Sequence, residues 1–543
     1  MTSISEQVRT LDPSDAAALQ AAVWRQVSEH IDEIAIGSGL GALGRLGIID
    51  LIAREPRIRA GDVVARTGCR AGYLHVILKL LAYRGWLERE GSTGDEMRLR
   101  ITNERLPSVA ASSAKCRIAL DAARTWLRSG MCPVESWSEL LECRELDGHL
   151  AAPLLARLAD VDQLPTPEQL DRDLDLSLVE PDLAGKLAAF LERLGWIEDA
   201  RRPRWSLRGT TAALMLPQYW YPLVYLPTLA AVDDLLTGRR VVGTSGSEAE
   251  SHLDRKLDIR FSGAVFNSTC RRHFFDAVAP RFAPETRPRY LVDIGCGDGR
   301  LLAETWSALA ELHGRERAPI AIGVDLSRVA LDATEELLRR SGVPPLVFAG
   351  DVTRPAEIAA TLRGAGIECD DCLFVCKSVI HDRDYVPPAN TPIDDGEASD
   401  LVFVADDGGL ISTSLMEQSL VELFAAWRPL IARHGWVVIE AHTLPARAAA
   451  LHRGQTQIAI LDATHGYSRQ YLLDAPRFRR AATRAGLTSA FHADIGAGQL
   501  GHTVLTVDHF MTTSKPSSFM DVNRARGSGR RFLLRGRGSA ARD

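Results

Sequence analysis

The chain has 543 residues, of which 46% are hydrophobic and 25% charged, and a net charge of −6. This composition excludes wholesale disorder and a membrane-embedded chain, the length calls for several cores rather than one, and the acidic balance argues against a general nucleic-acid binder, which needs a basic surface. The polar start from Met1 to Asp15 lacks a signal peptide's basic and apolar segments, so a cytoplasmic location is expected, with the nine cysteines mostly reduced.

Residues 16–103 predict helices followed by a hairpin. Ile49, Ile52, Val63, Val64, Tyr73, Leu74, Ile77, Leu78 and Leu81 recur at roughly helical spacing, and Gly85-Trp86-Leu87-Glu88 and Arg98-Leu99-Arg100-Ile101 read as strands around a Gly-Ser-Thr-Gly turn. This winged-helix-like order repeats further on, where Phe190 to Glu198 echoes Leu80 to Glu88 and Arg204-Trp205-Ser206-Leu207 closes a second wing. The first wing carries mixed charge, which suits a lid or dimerisation role better than DNA. Two mainly α-helical units are therefore expected, 1–105 and 106–250. The second ends in a connector containing the aromatic stretch Pro217 to Pro222 and the turn Gly243 to Gly246.

From about Arg289 strands and helices alternate: Tyr290 to Ile294, Ile320 to Val324, Leu346 to Phe348, Cys372 to Ile380, Val437 to Glu440, and a last pair near Ala490 and Val504. Alternation of this kind predicts an α/β, Rossmann-like domain over 251–512, with a mostly parallel, doubly wound sheet. Residues 513–543, rich in Ser, Gly and Arg, read as a disordered basic tail. Cys369, Cys372 and Cys376 lack a second CxxC pair, so they are read as structural cysteines rather than zinc ligands.

Asp293-x-Gly295-x-Gly297-x-Gly299 follows the first strand of that sheet, where glycines let the backbone approach a ligand. A nicotinamide fingerprint is GxGxxG; this spacing is similar to motif I of the class I methyltransferases, which bind S-adenosylmethionine. Asp298 would sit poorly against a diphosphate. Asp325, followed by Leu326 at the end of the second strand, can accept hydrogen bonds from ribose hydroxyls. Asp351, followed by Val352, would suit the adenine amino group as in that family, and equally reads as a turn-capping aspartate.

Chemistry in this fold lies beyond the C-terminal strand ends. There the sequence places His381-Asp382-Arg383, Glu440-Ala441-His442-Thr443 and Asp462 to Tyr471, including His465 and Gln470. Imidazole and carboxylate suit a divalent first-row metal with positions open to a chelating substrate. They serve a metal-free acid–base site equally well, and both readings stay open at this point.

From about Leu253 to His509 the chain resembles the methyltransferase domains near the loading end of apratoxin- and saxitoxin-type polyketide synthases. The matching segments are Leu257 to Gly263, Asp293 to Gly299, Gly350 to Val352, Ser378 to Arg383, His434 to Thr443 and Asp462 to Tyr471. The resemblance implies a mononuclear-iron C-methyltransferase acting on a malonyl thioester, whose enolate a bound cation would stabilise. It implies cofactor contacts at Ser262, Gly263, Asp293, Gly295, Gly297, Gly299, Asp325, Leu326, Asp351 and Val352. It also implies iron (or manganese) ligands among His381, His442, His465 and Gln470, and catalytic roles for His381 and Asp382. This chain departs from the family at Ile380, where an acidic residue is usual, and at Ala264-Val265-Phe266, where a histidine is frequent. No acyltransferase-like or carrier domain follows within this sequence.

The expected function is metal-assisted C-methylation of an enolisable acyl thioester or keto acid in polyketide-type biosynthesis. The alternatives are metal-free O- or N-methylation of a small secondary metabolite with His381 as base, or a DNA-binding ligand sensor. Expected partners are a small-molecule or carrier-bound acyl substrate and a second copy in a homodimer, with no nucleic acid and no membrane.

Overall fold

The computed structural model describes residues 12–166, 172–242, 252–283, 285–392 and 397–513; the expected turn at 243–246 and all but the first residue of the expected tail lie outside them. The first helix, α1 (Pro13–Arg45), starts where the Asp12 side chain accepts from Ser14 N at 2.9 Å and proline occupies the first turn, two features that complete a helix N-terminus. Its buried face, Val23, Val27, Ile31, Ile34 and Ala35, runs through the middle of the helical half. Glycine is a poor helix former, yet α1 keeps Gly39 because a Cβ there would lie 2.9 Å from the Tyr467 hydroxyl.

After α1 come α2 (Ile48–Arg54), β1 (Ile58–Arg59), α3 (Ala60–Thr67), α4 (Ala71–Tyr83), β2 (Leu87–Glu90) and β3 (Arg98–Ile101), with the strands ordered β1-β3-β2. Three arginines in or beside this small sheet pair with nearby acids: Arg57 with Glu90, Arg59 with Asp62 and Glu96, Arg100 with Glu88. Thr93, at its hairpin tip, donates to Ser399 O at 3.0 Å, so the tip lies against its own chain.

Helices α5 (Lys115–Ser129), α6 (Asp147–Asp160), α7 (Pro181–Arg193) and α8 (Leu216–Val224) are among those that build the rest of the half. The second expected hairpin is reduced to isolated bridges, Ile197 with Trp205 and Asp173 with Arg204. The expected connector is core instead: Tyr219, Tyr221, Leu223 and Val224 are buried.

The C-terminal half follows α9 (Arg255–Val265). Its strands are β4 (Tyr290–Ile294), β5 (Ile320–Asp325), β6 (Val347–Ala349), β7 (Cys372–Lys377), a small hairpin of β8 (Phe403–Val404) and β9 (Leu410–Ile411), then β10 (Trp436–Ala441), β11 (Leu487–Ile495) and β12 (Leu505–Thr512). The large sheet runs β11-β12-β10-β7-β4-β5-β6, parallel from β10 to β6, with β12 antiparallel to both its neighbours. Helices α10 (Arg300–His313), α11 (Arg328–Arg340), α12 (Pro355–Gly364), α13 (Thr413–Trp427) and α16 (Ala475–Arg484) flank it, and the two faces of the sheet nucleate two separate apolar cores. Cys372 and Cys376 are buried within β7.

Packing does not divide the chain at residue 250. Helices α14 (Ala446–Leu451) and α15 (Ile458–Tyr467) follow β10 in sequence, yet Ala448, Ala449, Ile458, Ala459, Ile460, Ala463 and Tyr467 belong to the apolar core of the helical half. The β8–β9 hairpin docks there too, with Gly408 O accepting from Gly72 N at the start of α4 at 2.9 Å. Among the described residues no single helix is long and apolar enough to cross a membrane; the bent pair α1–α2 could do so by length and composition alone.

Candidate active site

Strand β4 ends in the glycine turn. Gly295, Gly297 and Gly299 have φ of 71°, 57° and 77°, a region closed to most side chains. A Cβ at Gly295 would lie 2.4 Å from Val379, whereas at Gly297 it would meet nothing within 4 Å, so the turn opens on this side. Asp325 braces it, its carboxylate accepting from Gly297 N at 3.0 Å and from Ser327 N at 2.8 Å. Leu326 beside it stays 46% exposed, an apolar surface next to the turn.

Below the turn, Asp293 is 1% exposed and its Oδ1 has no hydrogen-bond partner; burial pushes its carboxyl well above the usual range. At the end of the neighbouring strand β7, Lys377 Nζ donates to Ser262 Oγ on α9 at 2.6 Å, and Gly263 packs on Arg300, its notional Cβ 3.1 Å from Nη1. An open cradle above an orphaned carboxylate fits S-adenosylmethionine, whose amino-acid end carries a cation. Asp351 accepts from Thr353 N at 2.8 Å, the turn-capping bond, and Val352 is buried.

One residue cluster gathers beside this cradle. His381 Nδ1 is hydrogen-bonded to Glu440 at the end of β10, with both side chains buried. Burial opposes charge on both, but each overcomes it for the other: the carboxylate raises His381 above the ordinary histidine value, and the imidazole holds Glu440 below the ordinary glutamate value. The His465 ring stands edge-on to His381 at 4.8 Å. Its Nδ1 lies 2.7 Å from Leu461 O, so it donates there, and burial followed by the charge of His381 pushes it well below the histidine range. Gln470 Nε2 donates to Asp382 Oδ1 at 2.6 Å.

The helical half completes the wall. Tyr221 lies 3.2 Å from His465 Nδ1 and 2.8 Å from Thr464 Oγ1, and Tyr225, just beyond α8, donates to Gln470 Oε1 at 3.4 Å. Lys79 on α4 forms a buried ion pair with Asp462 (2.8 Å) and donates to Thr443 Oγ1 (3.0 Å), and Tyr83 donates to the same carboxylate. A cavity of about 20 Å³ between the halves is lined by Lys79, Asp462, His465 and Gln470, among others.

His381, Asp382, His465 and Gln470 therefore come together; His442 does not. Its ring nitrogens are taken by Leu473 O (3.2 Å) and Thr506 Oγ1 (2.9 Å), it packs on Phe478, and burial pushes it down to about 4. The donor types suit a first-row ion, but their arrangement does not. Asp382 and Gln470 bind each other, and among the described residues no three His, Cys, Asp or Glu side chains are placed to hold a metal, although the bonds at Nδ1 of His381 and His465 leave Nε2 of each ring open.

Sequence reasoning missed Glu440 as the partner of His381, as well as Tyr221, Tyr225 and Lys79. Only Glu440 carried a usable signal, its place two residues before His442 at a strand end.

Residues 250–495 match the AprA MT2-like domain, and residues 24–89 match the AprA N-terminal domain. No curated protein matches the sequence. Among solved structures, an O-methyltransferase family 2 protein from Planctomyces limnophilus in complex with apigenin is 14% identical, covering 89% of this chain and 95% of that one at a TM-score of 0.37. LepI in complex with SAM is 13% identical, covering 75% and 89% at 0.38. CalO1, a methyltransferase in calicheamicin biosynthesis in its SAH-bound form, is 13% identical, covering 92% and 99% at 0.28.

Proposed function

The chain is an S-adenosylmethionine-dependent methyltransferase with an AprA MT2-like domain over residues 250–495, and on that premise we propose that its acceptor surrenders a proton to His381 as the methyl group is transferred. The observation that carries this reading is the His381–Glu440 pair beside the glycine turn. A carboxylate on Nδ1 fixes the tautomer and leaves Nε2 to take the proton. It also stabilises the imidazolium that results.

S-adenosylmethionine supplies the electrophilic methyl. The acceptor is a carbon acid, an enolisable acyl thioester delivered by a carrier protein or a keto acid of polyketide-type biosynthesis. The likeness to the AprA MT2-like domain supports this class, as does the Gln470 amide, which has an N–H beyond the one given to Asp382 that suits charge developing on an enolate oxygen. Holding both partners against this wall provides the orientation that methyl transfer requires. Iron or manganese assistance rests on the AprA likeness alone.

A second reading, O-methylation of a hydroxyl, is favoured by the same pair, since a histidine–glutamate base needs no metal. An isotope-labelled methyl-transfer screen over malonyl-carrier protein, keto acids and phenols, with and without iron, tests both. Label on carbon that disappears in His381→Ala is the expected result. Label on phenols alone would establish the second reading, and full activity of His381→Ala would remove His381 as the base.

A further inference from the structure

Helix α15 ends in a turn that holds an arginine where the backbone favours glycine. Gln470 N donates to His465 O at 2.7 Å and Arg469 N to Gly466 O at 3.4 Å, the paired bonds that close a helix through a left-handed residue, usually glycine. That residue is Arg469, at φ 59°, a region that a Cβ makes unfavourable. Its side chain is 7% exposed, Nη2 donates to Val242 O at 2.9 Å, and Nε is buried without a partner. The carboxylate paired with it among the described residues is Asp406, in the β8–β9 turn, bonded at Nη1; that side chain is 84% exposed. A buried guanidinium is costly unless an anion answers it, and a carboxylate that stands in water answers it weakly. Arg469 directly precedes Gln470 at the reaction wall. Burial raises the Asp384 carboxyl, three residues beyond His381, and the Arg469 charge opposes that rise. A guanidinium grips a carboxylate through two parallel N–H bonds, and here Nε is still unspent.

We infer that Arg469 receives a carboxylate of the acceptor, and that Asp406 holds the place of that carboxylate until the acceptor arrives. The assignment rests on the carbon-acid reading and narrows it to acceptors that carry a carboxylate besides the enolisable carbonyl, a malonyl thioester or a 2-keto acid. Exchanging one carboxylate for another keeps the charge at Arg469 balanced and returns Asp406 to water, where most of it already lies. Arg70 and Gly72 hold the same turn through Asp407 O and Gly408 O, so the release of Asp406 does not free the hairpin.

Steady-state kinetics of the full chain with malonyl-carrier protein, with 2-oxobutanoate and with acetyl-carrier protein, which has no carboxylate, test this, alongside calorimetric titration with S-adenosylhomocysteine. Arg469→Gly suits the backbone, so the fold survives the change. It should raise KM for the carboxylate acceptors about 10- to 100-fold, the range of a lost charge-assisted hydrogen bond, while KM for acetyl-carrier protein and the affinity for S-adenosylhomocysteine move less than about twofold. Asp406→Asn removes the internal competitor and should lower KM for the carboxylate acceptors about two- to fivefold, the range of an exposed ion pair. A change with only one of the two carboxylate acceptors supports the assignment and names the source. An unchanged KM in Arg469→Gly overturns it, as does a loss shared equally by every acceptor and by S-adenosylhomocysteine, which would mark the pair as a structural tie. Wild-type protein that methylates phenols and no carbon acid overturns the carbon-acid reading and the assignment together.

Discussion

Replacing Lys79 with methionine tests how firmly the helical half is held to the reaction site. The Lys79–Asp462 pair is 2.8 Å long, and its side chains are 5% and 6% exposed. Methionine is an unbranched, flexible filler, so the packing of α4 on α15 survives the change. What disappears is the ion pair and the bond to Thr443, and Asp462 remains buried with Tyr83 as its side-chain donor. Removing one partner of a buried pair costs about 3–5 kcal/mol. The surviving Tyr83 bond places this case near the lower figure, about 3 kcal/mol. Urea unfolding followed by tryptophan fluorescence, with hydrogen exchange of α15 read separately because a chain of this size need not unfold in one step, measures both the global and the local loss. Lys79→Met/Asp462→Leu should recover most of it, since no buried charge is then left alone. A single variant within about 1 kcal/mol of the wild type, or a double variant no more stable than the single, would refute the argument that charge holds this junction.

Three further outcomes are expected. Glu440→Gln removes the charge that raises His381; burial then dominates, so the acid limb of the turnover profile should move to lower pH while maximal turnover falls by about 100-fold, and an unmoved limb would exclude the pair as the base. Gly297→Val should abolish S-adenosylhomocysteine binding, since the side chain projects into the open cradle; a β-branched residue at φ 57° also costs about 1–3 kcal/mol in backbone strain, so calorimetry must show lost affinity in protein that is still folded. His30 and His442 are each pushed down to about 4, chiefly by burial, so between about pH 6.5 and 4 the unfolded chain binds protons that the folded one refuses. Their stability contribution is complete above that window and is lost on acidification by up to about 1.4 kcal/mol per pH unit for each histidine. In His442→Gln a shallower acid slope of stability checks this, and an unchanged slope would contradict it.

Local sequence signals carried the sheet and the cofactor turn. Strand β4 runs over Tyr290–Ile294, the span expected from the alternation of strands and helices, and the Asp-Gly-Gly-Gly spacing identifies the turn because φ and close approach are set within a few residues. The acceptor side was harder to read, because it is assembled across long separations. Tyr225 meets Gln470 and Lys79 meets Asp462 through tertiary packing that no periodicity encodes. His442 illustrates the opposite error: its strand-end position suggested a ligand, but its backbone N–H continues the ladder by bonding to Val504 O and its ring turns toward Thr506 on β12. The Pro217–Pro222 stretch looked like a connector because prolines punctuate it, yet Pro217 sits in the first turn of α8, where the missing N–H is harmless, and its Tyr221 lines the site while Tyr219 bonds His30 in the helical core.

The seating of α15 constrains how such an enzyme can change. By chain order this helix belongs to the sheet half, but Ile458, Ile460, Ala463 and Tyr467 fill the core of the helical half, while His465 on the same helix faces the reaction. A graft of residues 251–512 onto a foreign helical partner would bring a helix without a socket, and a new helical half would arrive without the wall that shapes the acceptor. The two halves are not interchangeable cassettes. Altering the acceptor by recombination would require the socket and the helix to be exchanged as one piece.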